Sequence, residues 1–303
     1  PDAEGINGEM QAFHIALKSA GVSVPFTTLM GVGGLAFRLY WHKGTEEDET
    51  FGQWSDTSLE AVSGTHPVYE AAQYSGWSYT PYNQNTLDDM YMLARQSIDN
   101  GIPAITRGPV GPPIPSLIIG YEEEVTRKLL ILSKYAGDKV TPLEIPMFDL
   151  PLLEYGYWRN PIFILEPGMP PDEDERLEMI KNAIKGAAEA SEAPSIDNAR
   201  WIGGIEAYEA IATDLEGDLG NVMAGLGPEG IEEDPRVDIL GQVIHELGRA
   251  RGCAFEFLET FADDFPVEDA VSEYEDVYEK YLEIKKIFPN PSLDFQGAFD
   301  ALF

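Results

Sequence analysis

The stretch EPGMPPDEDE, residues 166–175, places three prolines and a glycine within a few positions and separates two kinds of sequence. Proline fixes φ and offers no backbone donor, so neither a helix nor a central strand runs through such a stretch. Before it come short apolar runs of strand length. After it the apolar residues recur only at helical spacing. The break therefore predicts an α+β chain with two parts, an α+β domain over residues 1–166 and a helical domain over residues 167–303 packed on it.

Upstream, IPAITR, PSLIIGYE, RKLLILS and YWRNPIFILE read as strands. The gaps between the middle ones are too short for a crossover helix, so they are expected to be antiparallel neighbours. GEMQAFHIALKSAG sets Met10, Phe13, His14 and Leu17 on one helical face and stops at Gly21. Asn7 is its expected N-cap, and Glu9 in the first turn suits the positive end of the helix dipole. LAFRLYW alternates Phe37, Leu39 and Trp41 against Arg38 and Tyr40 and reads as a further strand. HKGTEEDETFGQW is acidic and expected to be an exposed loop. NTLDDMYMLARQSIDNG predicts a helix capped by Asn85 or Thr86 and ended at Gly101, while His66 and Pro67 start another.

Downstream, EDERLEMIKNAIKGAAEA carries Leu177, Ile180 and Ile184 at helical spacing, and IEAYEAIATDL is a shorter helix. The strongest helical pattern begins at Asp234 and Pro235. It presents Val237, Leu240, Ile244, Leu247, Ala254, Phe257, Leu258 and Phe261 as one apolar stripe. EDAVSEYEDVYEKYLEIKKIF is expected to pair with it through Val271, Tyr274, Tyr278, Tyr281 and Leu282.

Fifty-three acidic residues stand against 20 basic ones, a formal net charge of -33. Such a surface repels phosphate backbones and anionic headgroups, which argues against nucleic acid and membrane as partners. No apolar run reaches the roughly 18–20 residues needed to span a bilayer. No basic segment followed by an apolar run opens the chain, so a cytoplasmic protein without a signal peptide is expected. The single cysteine, Cys253, excludes an intramolecular disulfide and any CxxC motif.

The order of these elements resembles the papain-like fold of the bacteriocin-processing peptidase group, and more closely the N-terminal domain of the butirosin-biosynthesis acyltransferase family. The segments that carry the likeness are the N-terminal helix, DNGIPAITR, IPSLIIGYEEE and RKLLILS. WIGGIEAYEAIATDL and GRARGCAFEFLETFA are similar to the helical C-terminal region of its relatives. The resemblance implies a nucleophilic cysteine at the helix start, where the dipole stabilises thiolate. It also implies a histidine before the middle strand and an acid or amide on the next one. Carried onto this sequence, these positions fall near Asn7, near Ile114 or Pro115, and near Ser133. None of those residues performs the expected role.

Other residues do not rebuild the site. His245 lies eight residues before Cys253 on one helix, roughly two turns away and beyond direct hydrogen-bond reach. Cys253 shares its face with Ala250, Ala254 and Phe257 and is expected to be buried, with Arg249 and Arg251 pointing to the polar side. His14 reads as a core histidine. His42 beside Glu46, Glu47 and Asp48 is too weak a pattern for a metal site. No GxSxG occurs, and GVGGLAF lacks the ending of a phosphate loop.

The expected function is a catalytically silent papain-like protein that binds a small molecule or peptide in the inherited groove, with no cofactor and no metal. Asn7, Glu9, Arg38, Trp41, Ser116 and Tyr121 are its candidate lining residues. Two alternatives stay open. One is an amide hydrolase or acyltransferase with a rearranged site, and the other is a helical interaction protein that forms a homodimer.

Overall fold

The computed structural model describes residues 8–42, 67–83, 86–109, 115–123, 126–133, 143–150, 154–155, 158–159, 161–192, 201–214 and 235–287. The expected acidic loop after His42, Asn7, Asn85 and Ile114 lie outside them. The chain forms two units. One comprises Pro1–Leu29 and Val68–Arg176, the other Met30–Pro67 and Leu177–Phe303. The division after the strand-rich part therefore falls at Arg176 rather than residue 166. The second unit also takes in an early segment that the sequence reading assigned to the first.

The first unit is built on a six-stranded antiparallel sheet. Its strands are β2 (Trp77–Tyr82), β3 (Ala104–Arg107), β4 (Pro115–Glu122), β5 (Lys128–Leu132), β6 (Leu143–Pro146) and β9 (Ile162–Pro167), in the order β2-β9-β3-β4-β5-β6. Short strand pairs between them, β7 (Glu154–Tyr155) with β8 (Trp158–Arg159), lie in the connection to β9. β4 pairs with β5 as expected, with an irregularity between Ile118 and Gly120. Helix α1 (Gly8–Ser19) packs against β3 and β4. Helix α4 (Leu87–Asp99) packs against β9, β3 and β4, and α3 (Pro67–Ser75) precedes β2.

Strand periodicity sorts the sheet residues between these two helices. Ala104, Ile118, Ile131, Ile162 and Ile164 form one core with Met90, Tyr91 and Ala94 of α4. The alternating residues Ile105, Arg107, Phe163 and Tyr79 lie on the α1 face, where Phe13 meets Tyr79 edge-on at 5.8 Å. With both faces covered, β3 is buried along its whole length. β2, with Ser, Thr and Pro along it, lies at the sheet edge, where a proline costs no ladder bond.

The helix ends follow their sequence signals. Thr86 accepts from the Asp89 backbone N–H at 3.1 Å, which makes it the N-cap of α4. At the other end Gly101, with φ +81°, lets the Ile102 N–H reach the Ser97 carbonyl at 3.0 Å, a turn that Cβ-bearing residues rarely adopt. Helix α5 (Glu173–Ser191) opens with a reciprocal capping box between Asp172 and Glu175, both bonds 2.9 Å.

Helix α2 (Phe26–Val32) runs from the first unit into the second. The strand expected over LAFRLYW is confined to its end, β1 (Tyr40–His42). Residues 33–37 instead turn tightly, with Gly34 at φ +75° and the Ala36 N–H bonded to the Met30 carbonyl. β1 pairs antiparallel with β10 (Trp201–Gly203), which leads directly into α6 (Gly204–Asp214). Leu39 and Trp41 pack with Ala207 and Ile211.

The long helices α7 (Pro235–Thr260) and α8 (Glu268–Ile287) complete the second unit and pack along each other. Ala254, Phe257 and Leu258 are buried as expected, whereas Leu282 is exposed. The side chains of Val237, Leu240 and Ile244 lie outside the described residues. Rings replace missing side chains at the helix crossing: Tyr281 lies over Gly248 and Tyr278 over Gly252. Arg251 departs most from expectation. Instead of facing solvent it is 1% exposed and donates to the Tyr208 hydroxyl at 2.6 Å, to the Ala36 carbonyl, and to the Arg38 carbonyl at 3.4 Å. These acceptors satisfy a buried guanidinium that side-chain patterning alone assigns to the surface.

Candidate functional site

The start of α1 meets the β3–β4 hairpin. A Cβ added at Gly8 would lie 3.5 Å from Cδ of Pro115. One residue on, Glu9 is 3% exposed, an unusual state for a carboxylate unless it is paired. Arg107, the last residue of β3, donates to Glu9 Oε2, and the Tyr79 hydroxyl donates to Oε1. The guanidinium also lies over the Phe163 ring, 5.5 Å from its centroid, and Tyr79 stacks on the same ring at 5.1 Å. The guanidinium and the phenol thus both donate to a carboxylate that sits in the first turn of α1, at the positive end of the helix dipole.

The sequence candidates do not converge there. Of them, Glu9 alone is at this network. Ser116 is buried and pairs with Thr106 across β3 and β4, so it shares the α4 face of the sheet rather than the α1 face. Its hydroxyl has no hydrogen-bond partner among the described residues, while Thr106 donates to the Pro161 carbonyl at 2.8 Å. Running the β4–β5 register one residue past Leu132 sets Ser133, also buried, opposite Ser116. Tyr121 lies near the far end of β4 and donates to Asp99 of α4 at 2.6 Å. Arg38 and Trp41 belong to the second unit. The Arg38 guanidinium lies beside Gly34, and Trp41 is core. Asn7 lies outside the described residues.

Arg107, Tyr79 and Phe163 are the residues that sequence reasoning missed. Arg107 carried a signal: it follows Ile105 at strand spacing, so a charge stands where the alternation calls for a buried apolar side chain. Tyr79 carried a weaker one: Trp77 and Tyr79 alternate with Ser78 and Thr80, but Pro81 breaks the run after four residues.

Cys253, in the second unit, is fully buried, and its thiol pKa is pushed up to about 12 by burial and secondarily by Glu256. Thiolate, the reactive form, is thereby suppressed. Among the described residues no group of three or more His, Cys, Asp or Glu side chains is placed to hold a metal ion, and no helix is long and apolar enough to cross a membrane. Searches against protein-family models and against curated proteins return no match for this chain.

Proposed function

We propose that the first unit is a papain-like domain that is catalytically silent and binds a small molecule or peptide beside the start of α1. The carrying observation is the Glu9–Arg107–Tyr79 network. The helix start abuts Pro115, one of the two positions that the resemblance assigns to the base. The polar groups gathered there hold one another. Both oxygens of Glu9 accept hydrogen bonds, and neither Arg107 nor Pro115 can take a proton from a nucleophile. A positive helix end beside a fixed ion pair suits recognition by backbone amides rather than acyl transfer.

Photo-crosslinking tests the reading. A diazirine-tagged library of short peptides and small amides is irradiated with the full chain, and the labelled residues are mapped by mass spectrometry. Labels concentrated on residues 7–9 and 114–116 support the reading. Labels found only elsewhere, or consumption of library members by the chain, overturn it.

A further inference from the structure

The first unit holds a cleft that shares no residue with the start of α1. Its volume is about 500 Å³, and it lies around the C-terminal half of α4, the edge strand β2 and the neighbouring strand β9. That volume lies within the roughly 300–1,000 Å³ of small-molecule sites. Because α4 covers β9, β3 and β4 while β2 is the edge strand, a space is left beside the helix.

The geometry points to a binding site for a small organic cation with an apolar body. Tyr82, at the end of β2 and on the face that α4 covers, supplies aromatic surface, and Leu93 of α4 adds an apolar wall, while Trp77 borders the cleft from the other end of the strand. Glu166 of β9 supplies the charge. Its carboxylate has no hydrogen-bond or ion-pair partner among the described residues, although its carbonyl accepts from Ser78 at 3.4 Å. Gln96 and Asn100 bring amide oxygens able to accept from an ammonium group. The C-terminal end of α4 adds the negative end of a helix dipole.

Among the described residues no lysine or arginine lines the cleft. The nearby Arg95 is held instead by Glu123 at 2.7 Å and Asp99 at 3.6 Å. An anionic ligand would meet a carboxylate and, among the described residues, no cation. An ammonium ligand would find a carboxylate, carbonyl oxygens and an aromatic side chain, the groups that recognise organic cations. The chain's net charge of -33 raises the local concentration of such ligands.

Isothermal titration of the full chain with phenethylamine, 2-phenylethanol and 3-phenylpropionate tests this. The three probes share a ring and chain and differ chiefly in charge, and about 0.15 M salt screens the general acidic surface. The amine should bind at least tenfold more tightly than the alcohol, and the carboxylate more weakly than either. Glu166→Gln, at an exposed position, should bring the amine to the level of the alcohol. Tyr82→Leu should weaken both. Equal affinity of amine and alcohol, no amine binding at millimolar concentration, or an amine preference that survives Glu166→Gln would each overturn the assignment.

Discussion

The carboxylate of Glu9 and the guanidinium of Arg107, 98 positions apart in the chain, form an ion pair that is almost wholly shielded from solvent. The pair ties the first turn of α1 to the last residue of β3. Two charges in such a place are tolerated because each has a partner.

Removing one charge should therefore cost far more than removing both. Glu9→Gln is expected to destabilise the protein by about 3–5 kcal/mol, because it leaves the guanidinium buried against a neutral amide. Glu9→Leu combined with Arg107→Met should recover a large part of that loss. Urea unfolding of Glu9→Leu, of Arg107→Met and of the double variant measures the coupling. Additive losses would mean that the two side chains do not act as a pair.

Cys253 is expected to be inert in the native state. Its pKa of about 12 leaves almost no thiolate at neutral pH, and full burial blocks access to a reagent. Iodoacetamide should label the folded chain slowly and the urea-unfolded chain fast. Cys253→Ala should cost about 1 kcal/mol as a small core change. Rapid native labelling coupled to loss of an activity would instead favour an enzyme with a rearranged site.

The crossing of α7 and α8 depends on two missing side chains. A Cβ at Gly252 would fall 2.6 Å from the Tyr278 ring, and one at Gly248 would overlap the ring of Tyr281. Alanine is the better helix former, so on an open helix surface either substitution would stabilise. Here Gly252→Ala should destabilise by about 1–3 kcal/mol through overpacking. Thermal melts of Gly252→Ala and of Gly252→Ala with Tyr278→Leu separate the two effects, since the smaller side chain should relieve most of the loss.

His14 gives the first unit a pH dependence. Burial, and secondarily Lys18, lower its pKa below the ordinary 6.5, opposed in part by a backbone hydrogen bond at Val24. The unfolded chain then takes up the proton first, so stability falls as the pH drops through 6.5 and levels off below the lowered native value. His14→Gln should flatten that part of the stability profile. An unchanged slope between pH 7.5 and 5 would assign it to other groups.

Much of this architecture was legible because local signals agreed with tertiary demands. The apolar face of α1, the Thr86 cap, the Gly101 stop and the strand PSLIIGYE all follow from capping chemistry and periodicity. LAFRLYW misled because alternation reports two-sided burial, and a tight turn after the glycines around Gly34 buries Phe37 without any strand. There Phe37 meets the Phe257 and Tyr274 rings edge-on. β10 has only three residues and gains its place from pairing with β1, so no local pattern marks it. The site was less legible than the fold. Glu9 could be placed at a helix start, but its partners come from β2 and β3, and sequence spacing does not encode which strands become neighbours. Arg251 was misjudged for a related reason: its acceptors are two backbone carbonyls and a phenol from distant segments.

The central claim, that the start of α1 is a silent site held by Glu9, Arg107 and Tyr79, is tested most directly by turnover. The purified full chain is incubated with a panel of peptide, amide and thioester substrates, and product is followed by mass spectrometry. The account predicts no product above the buffer rate for the native chain and for Ser116→Ala alike. Turnover at an ordinary enzymatic rate by the native chain, abolished by Glu9→Gln in a variant shown to be folded, would contradict it.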